Sequence, residues 1–226
     1  MIRDCSLQDI CDGRTYGVND MVRVDTAGCH GCYRCCCNMG RSIVLDPLDF
    51  FRLREATGCT PDEIMAKYAE FNMVDGVILP NLRMVGEENA CPFLNSDKRC
   101  SIHGMRPGMC RLFPLGRYYE NGGYSYIIQS GECPMNNPSK IKVRKWIGVR
   151  DYDTYREFVL RWHGIIRHVG ALTRTTVEES RVKELLIRVI NMFYLGAEAR
   201  NEEDFLTEFY EKADLIYDGN STGDNK

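Results

Sequence analysis

The chain has 226 residues, enough for one sizeable domain or two small ones. Hydrophobic residues make up 44% of the sequence and charged residues 27%, as in an ordinary soluble globular protein. The net charge of −3 provides no attraction to nucleic acid or to an anionic membrane, and no apolar run reaches the roughly 18 residues that a membrane span needs. We therefore expect no nucleic-acid partner and no membrane association.

The cysteine content is the unusual feature of the composition. The sequence contains 12 cysteines, and its N-terminal segment lacks the basic and apolar regions of a secretory signal. We therefore expect a cytoplasmic protein whose thiols stay reduced. In a reducing compartment, dense cysteines indicate metal binding or catalysis before disulfides, although some of them can be simple core residues.

The first half of the chain predicts short elements separated by loops. Residues 1–28 show no clear periodicity and are interpreted as an N-terminal arm, and the apolar run 42–45 predicts a strand. Helices are expected over about 47–56 and 61–71, because each begins with a capping side chain followed by proline at the first helical position. The capping pairs are Asp46-Pro47 in the first helix and Thr60-Pro61 in the second, where Glu63 completes a capping box.

Further strands are predicted before, within and after the second cysteine cluster. Residues 76–85 favour a strand in which Pro80 lies at an edge or a break. Residues 124–128 predict a strand that follows the turn Asn121-Gly122-Gly123. Residues 140–145 alternate basic and apolar side chains, which is more typical of an edge strand than of a nucleic-acid patch.

The C-terminal part of the chain predicts helices. From about residue 151 the sequence has no cysteine, and apolar residues recur every three or four positions. Two further helix starts are expected at Thr175/Thr176 with Glu178/Glu179 and at Asn201 with Asp204. We expect the helical core to be formed by Trp162, Leu186, Ile190 and Phe193.

These elements predict an α+β fold with an irregular, cysteine-rich, metal-stapled core and a C-terminal helical subdomain. The predicted boundaries are an N-terminal arm over 1–28, a cysteine-cluster metal-binding domain over 29–150, a helical subdomain over 151–217 and a disordered tail over 218–226.

The first cysteine cluster repeats a two-residue spacing. Two residues separate Cys29 from Cys32 and Cys32 from Cys35, which lets a tight loop bring several sulfurs to one metal. The same step occurs in bacterial ferredoxin loops, where three cysteines bind one cluster and a fourth comes from a distance. Cys36 and Cys37 follow directly. Because three consecutive cysteines cannot easily all face one metal, the choice between these two stays open.

The second cysteine cluster is more widely spread. Proline follows Cys91 and Cys133 and stiffens the loop at both places. Arg106 and Arg111 flank Cys110, and their positive charge favours thiolate over thiol. Crowded thiolates repel one another unless a cation compensates them, so we expect a metal here, with the two arginines as cofactor-binding residues. The cysteines of this cluster are Cys91, Cys100, Cys110 and Cys133.

Other cysteines and histidines are interpreted as ordinary side chains. Cys5, Cys11 and Cys59 have no partner at ligand spacing, so we expect them to be packing residues. His30 and His103 lie inside the two clusters and are expected to be neighbours or hydrogen-bonding groups rather than ligands.

The paired motifs resemble a known family. Cys29-x2-Cys32-x2-Cys35-Cys36, followed by Cys91-x8-Cys100-Ser-Ile-His and Arg106-Pro-x2-Cys110-Arg-x-Phe-Pro, is similar to the CxxCxxCC family of YkgJ-like cysteine-cluster proteins over about 29–135. The family is regarded as a zinc- or iron-chelating domain and is similar to flagellin lysine-N-methylases. Tyr33 and Cys37 depart from the residues that the family often has at these positions. The resemblance implies metal ligation by Cys29, Cys32, Cys35, Cys36, Cys91, Cys100, Cys110 and Cys133.

Two functional hypotheses follow. The first is an iron–sulfur protein, with a cluster of the 4Fe-4S type, that performs redox chemistry or modifies an unidentified protein substrate or partner. The second is a zinc-stapled interaction module without catalysis. Both metals accept four thiolates. The ferredoxin-like spacing, the Cys-Pro junctions and the wide second cluster favour iron–sulfur, and the lack of a second C-x2-C pair argues against a zinc ribbon.

Overall fold

The computed structural model describes residues 7–26, 32–134, 137–196 and 199–218, and it confirms the predicted α+β class. Within these residues the strands pair as three two-stranded sheets: Met21–Asp25 with Ser139–Lys142, Ala69–Val74 with Val77–Leu82, and Leu115–Glu120 with Gly123–Ile128. In the same residues no helix has the length and apolarity to cross a bilayer. The elements are α1 (Leu7–Ile10), β1 (Met21–Asp25), α2 (Pro47–Thr57), α3 (Pro61–Lys67), β2 (Ala69–Val74), β3 (Val77–Leu82), α4 (Gly108–Leu112), β4 (Leu115–Glu120), β5 (Gly123–Ile128), β6 (Ser139–Lys142), α5 (Val143–Ile147), α6 (Tyr152–Thr175), α7 (Glu179–Ile190) and α8 (Glu202–Asp218).

The chain divides into two compact units. One, here called the helical unit, contains Val44–Asn81 and the described residues from Arg156 onward. The other, here called the cysteine unit, contains Leu82–Tyr155 and the described residues before Val44. The described part of both cysteine motifs therefore lies in the cysteine unit. The domain boundaries drawn from the sequence stay a prediction.

The starts of α2 and α3 confirm the predicted capping signals. The Asp46 carboxylate accepts a hydrogen bond from the backbone N–H of Asp49 at 2.7 Å, and the Thr60 hydroxyl accepts one from the N–H of Glu63 at 3.3 Å. Pro47 lies at the first position of α2, where its missing N–H costs nothing. These signals are local, and for that reason the sequence suffices to place them.

The predicted end of the second helix was wrong. Helix α3 ends at Lys67, and Ala69–Val74 forms strand β2 instead of continuing the helix to residue 71. Asp75 and Gly76 connect β2 to β3 with positive φ values of 53° and 88°. Such a two-residue turn matches the twist of a hairpin and forces the chain to reverse. The hairpin therefore overrides the helical pattern.

The core of the helical unit is aromatic. Phe209 on α8 is 2% exposed, and its ring centroid lies 4.6 Å from that of Phe158 and 5.7 Å from that of Phe193. The buried positions of Trp162, Leu186 and Phe193 confirm three of the four predicted core residues. Ile190 is only half-buried, so its prediction as a core residue was wrong.

The predicted cap of α7 was also wrong. Glu178 precedes the helix, but its side chain makes no capping hydrogen bond and instead pairs with Arg181 at 2.7 Å. The start of α8 is as predicted, because the Asn201 side-chain oxygen accepts from the N–H of Asp204 at 2.9 Å.

The strand predictions succeeded only in part. Residues 42–45 form no strand, since only Val44 makes an isolated bridge, which joins it to Asn81. The predicted basic strand forms over Ser139–Lys142 but turns into helix α5 at Val143. Its partner β1 lies in the stretch interpreted as an arm, and it was missed because only the distant pairing stabilises it.

We predict that Phe209→Ala destabilises the protein by about 3–5 kcal/mol, because the change leaves a cavity among the aromatic rings. Leu215→Ala on the same helix is the matched control, since Leu215 is 53% exposed and its truncation should cost less than about 1 kcal/mol. Urea denaturation followed by circular dichroism measures both variants. Equal costs would contradict the assigned core.

Candidate metal centre

Backbone hydrogen bonds join the two cysteine motifs. The N–H of Cys91 donates to the carbonyl of Cys36 at 2.7 Å, and the N–H of Asn38 donates to the carbonyl of Asn89 at 2.9 Å. Cys37 and Ala90 form an antiparallel bridge between these two bonds. The two stretches are therefore neighbours, as a shared site requires.

A short turn presents the first group of thiols. Residues Arg34–Cys36 form one turn of 3₁₀ helix, in which the N–H of Cys36 donates to the carbonyl of Tyr33 at 2.8 Å. Asn38 follows with a φ of 57°, a value that asparagine tolerates better than most residues. The chain thus changes direction on both sides of Cys35–Cys37.

A folded loop brings Cys100 back towards Cys91. The side chain of Asn95 accepts from the N–H of Arg99 at 2.8 Å, and the N–H of Ser101 donates to the carbonyl of Phe93 at 2.8 Å. These bonds close the loop, so that a separation of nine positions in sequence becomes a short one in space.

The tip of this loop also contacts the first motif. The Lys98 ammonium lies 5.0 Å from the centroid of the Tyr33 ring, a cation–π contact that sequence reasoning missed. Tyr33 departs from the residue that the family often has at this position. That departure is the signal in the sequence that could have pointed to a local role for its ring.

The thiols interact with one another. The Cys36 thiol donates a hydrogen bond to Cys35, which lowers the pKa of Cys35 and raises that of Cys36, so the pair loses one proton easily and holds the second. Burial raises the pKa of Cys91 to about 11, and the neighbouring Cys100 and Cys37 thiols add to this rise. The five cysteines therefore form one group, here called the thiol group.

Arg106 supplies positive charge to the thiol group. Its guanidinium lowers the pKa of Cys35 and opposes the rise that burial causes in the pKa of Cys100. The same guanidinium lies 2.8 Å from Nε2 of His103. Because arginine can only donate, this ring nitrogen must accept, and His103 is a neutral hydrogen-bonding neighbour rather than a second cation.

Arg111 takes a different position from Arg106. It is buried, and one of its terminal nitrogens donates to the carbonyl of Gly104. This bond ties α4 to the preceding loop. The prediction that Arg111 binds a cofactor stays untested.

The structure does not bring all the predicted ligands into the thiol group. Cys29 lies outside the described residues, whereas Cys32 and Cys110 are half-buried cysteines of the cysteine unit. Cys133 lines a cavity of about 200 Å³ together with residues that include Arg23 and Ser130. The ligand role of these four cysteines stays a prediction.

The described cysteines provide the donor type that a metal site needs. The cysteines of the described residues form no disulfides, so none of these sulfurs is lost to such a bond there. Across the same residues, however, no three cysteine, histidine or acidic side chains are grouped closely enough to hold one ion. The thiol group therefore fits a metal by donor type.

We predict that alkylation of metal-free protein at pH 7 modifies the Cys35/Cys36 pair before Cys91. The thiolate is the reactive form, and the pair loses its first proton at a lower pH than Cys91, which stays protonated until the pH approaches about 11. Mass spectrometry after a short iodoacetamide pulse measures the order, and urea-unfolded protein, in which the rates should converge, is the control. Faster labelling of Cys91 in folded protein would contradict this reading of the group.

The comparison with known proteins agrees with the motif. Residues 28–135 match the model of the CxxCxxCC family, whose description is "Putative zinc- or iron-chelating domain". No curated protein and no solved structure matches the chain. The matched range contains the thiol group and both motif stretches that the backbone hydrogen bonds join. Over residues 28–135, slightly less than half of its length, the chain is therefore similar to the CxxCxxCC family of cysteine-cluster domains.

Proposed function

We propose that this protein binds an iron–sulfur cluster and uses it for redox chemistry. The observation that carries the proposal is the meeting of thiols from residues 35–37 with those of Cys91 and Cys100. We propose Cys35, Cys36, Cys91 and Cys100 as the central ligands. Cys29, Cys32, Cys110 and Cys133 are further candidates from the sequence.

The spread of the second cysteine cluster along the sequence favours a cluster over a single zinc ion. A zinc ion draws four sulfurs to about 2.3 Å from one point, so its ligands must crowd together. In a cluster the cysteines bind different irons and are spaced more widely. Cysteines that extend from Cys91 to Cys133, together with the ferredoxin-like step from Cys32 to Cys35, suit the second arrangement better.

The protein supplies charge and partial access to the cofactor. An iron–sulfur cluster provides one-electron transfer, and its potential depends on net charge, hydrogen bonds to sulfur and solvent exposure. Arg106 places a positive charge beside the thiols and so favours the more negative, reduced state. Cys35, Cys36 and Cys100 are half-buried, which leaves the centre within reach of an electron donor. The reduced cysteines of the described residues suit the reducing cytoplasm that we propose as its location.

The zinc-stapled module is the second candidate, and the description of the matched family names zinc as well as iron. In that case the metal would contribute only folding free energy. The two candidates differ in colour, in sulfide content and in redox response.

We predict that protein purified without oxygen is brown, contains iron and acid-labile sulfide, and bleaches when dithionite reduces it. Visible absorption, electron paramagnetic resonance and metal analysis measure this. Addition of S-adenosylmethionine then tests the hypothesis that the protein modifies a protein substrate. Binding of S-adenosylmethionine to a cluster iron would change the spectrum. Colourless protein with stoichiometric zinc would establish the second candidate instead.

Serine variants test the ligands. Cys35→Ser, Cys91→Ser, Cys32→Ser and Cys110→Ser should each lower metal content and solubility, because hydroxyl replaces thiolate. Cys59→Ser is the matched control: it is a half-buried cysteine of the helical unit and should keep full metal content. Retained metal stoichiometry in one of the first four variants would remove that residue from the ligand set.

A further inference from the structure

The ribbon that β1 forms with β6 is apolar and buried on one face and basic on the other. Val22 and Val24 are 1% and 2% exposed, so their face is turned to the protein interior. The alternate positions are exposed and carry Arg23, Lys140 and Lys142. Because side chains alternate between the two faces of a strand, these three cations share the outward face. The ribbon thus brings together charges that lie more than 110 positions apart in the sequence.

The register of the ribbon places two of these cations directly opposite each other. Arg23 pairs with Lys140 in the antiparallel ladder, and Met21 pairs with Lys142. Residues paired in this way have Cα atoms only about 4.5–5.5 Å apart, and like charges at such positions destabilise the sheet. A local conflict of this kind is expected at a functional site rather than in a purely structural ribbon.

The three cations are unpaired within the part of the chain that the structure describes, where no hydrogen bond or ion pair engages their side chains. Two acids lie near the ribbon. The Asp20 carboxylate already accepts a hydrogen bond from the N–H of Gly17 at 2.7 Å, and Asp25 lies at the end of β1, beyond an irregularity in the ladder. Two acids near three cations leave the outward face positively charged.

A cavity lies at one end of the ribbon, beside Arg23. It has a volume of about 200 Å³, and its lining includes Thr26, which follows β1, and Pro138, which precedes β6. This volume is below the roughly 300–1,000 Å³ of pockets for drug-sized ligands, so the cavity suits a smaller molecule. Ser130 also lines the cavity and is exposed. Arg23 and the Ser130 hydroxyl therefore offer a cation and a neutral donor to the same space.

We propose that Arg23, Lys140 and Lys142, with the cavity beside them, bind a small phosphorylated molecule. Its phosphate would lie over the Arg23–Lys140 pair, and its remaining atoms would enter the cavity. A phosphate ester carries a charge of about −1.5 to −2 at pH 7, so one ligand offsets the repulsion between both cations. Arginine presents a fork of donors that matches phosphate oxygens, and lysine adds a point charge.

The proposal goes beyond the metal-binding function and holds whether the metal is iron or zinc. Its failure would therefore leave the metal proposal intact.

Two alternatives account less well for the same cations. Protection of an edge strand explains the lysines of β6, but it does not require an arginine opposite one of them. A nucleic acid is an extended polyanion, which the net charge of −3 on the whole chain repels. A compact phosphate ester meets only the local positive face.

The probe is glycerol 3-phosphate, which is titrated into the metal-loaded full chain in a calorimeter. We expect saturable binding with a Kd below about 1 mM. The binding should weaken as salt rises from about 50 to about 300 mM, because exposed charges are screened. Inorganic phosphate should bind about three- to tenfold more weakly, since it leaves the cavity unfilled, and glycerol should not bind, since it lacks the charge.

Variants separate binding from support of the fold. Arg23→Gln and Lys140→Gln should each weaken the binding of glycerol 3-phosphate at least about tenfold. In the absence of the ester each should raise the urea midpoint, because the repulsion across the ladder is removed. Residues that only supported the fold would not combine higher stability with lost binding. Lys183→Gln is the matched control: Lys183 is an exposed lysine of the helical unit, and its replacement should change neither quantity. Metal content is measured for every variant.

Four results would overturn the proposal. The first is a titration without saturable binding, and the second is unchanged affinity in both Arg23→Gln and Lys140→Gln. Inorganic phosphate that binds as tightly as the ester would exclude an organic ligand in the cavity. Tighter binding of a twelve-nucleotide oligothymidylate than of glycerol 3-phosphate at the same salt concentration would assign the basic face to nucleic acid instead.

Discussion

The structure of the candidate centre depends on backbone pairing between two distant stretches. The N–H of Cys91 donates to the carbonyl of Cys36, although 55 positions separate them. The N–H of Leu82 likewise donates to the carbonyl of Ile43 at 2.9 Å. The two stretches thus run antiparallel, and the residues that flank the segment 44–81, Ile43 and Leu82, are hydrogen-bonded neighbours. Closing a loop of this length costs conformational entropy. The paired ends offset that cost before any ligand is considered.

This pairing explains why thiols can gather and why a cation would then stabilise them. Neutral thiols tolerate partial burial, and burial accordingly raises the pKa of Cys91 and Cys100. Once ionised, neighbouring thiolates repel one another, and one arginine cannot balance several of them. Metal binding would therefore release protons and contribute to the stability of the cysteine unit at the same time.

The sequence predicted what local chemistry determines and missed what distant pairing determines. The caps at Asp46 and Thr60 follow from side chains three residues from their acceptors, and the spacing of the cysteines follows from the reach of a loop. Strand β1 needs β6, more than 110 positions away, so nothing near residues 21–25 identifies it. Arg106 and Arg111 are equivalent in the motif, and only the placement of α4 separates the one beside the thiols from the one that donates to Gly104.

Arg106 combines two influences on the thiol group, its charge and its partial exposure. Its guanidinium acts on Cys35 and Cys100, and its side chain is only half-buried. Because a positive neighbour stabilises thiolate against thiol, Arg106 would assist the binding of either metal. The charge on a thiolate-bound metal also depends on surrounding dipoles and solvent. At a centre that exchanges electrons, the same guanidinium would therefore raise the reduction potential as well as favour metal binding.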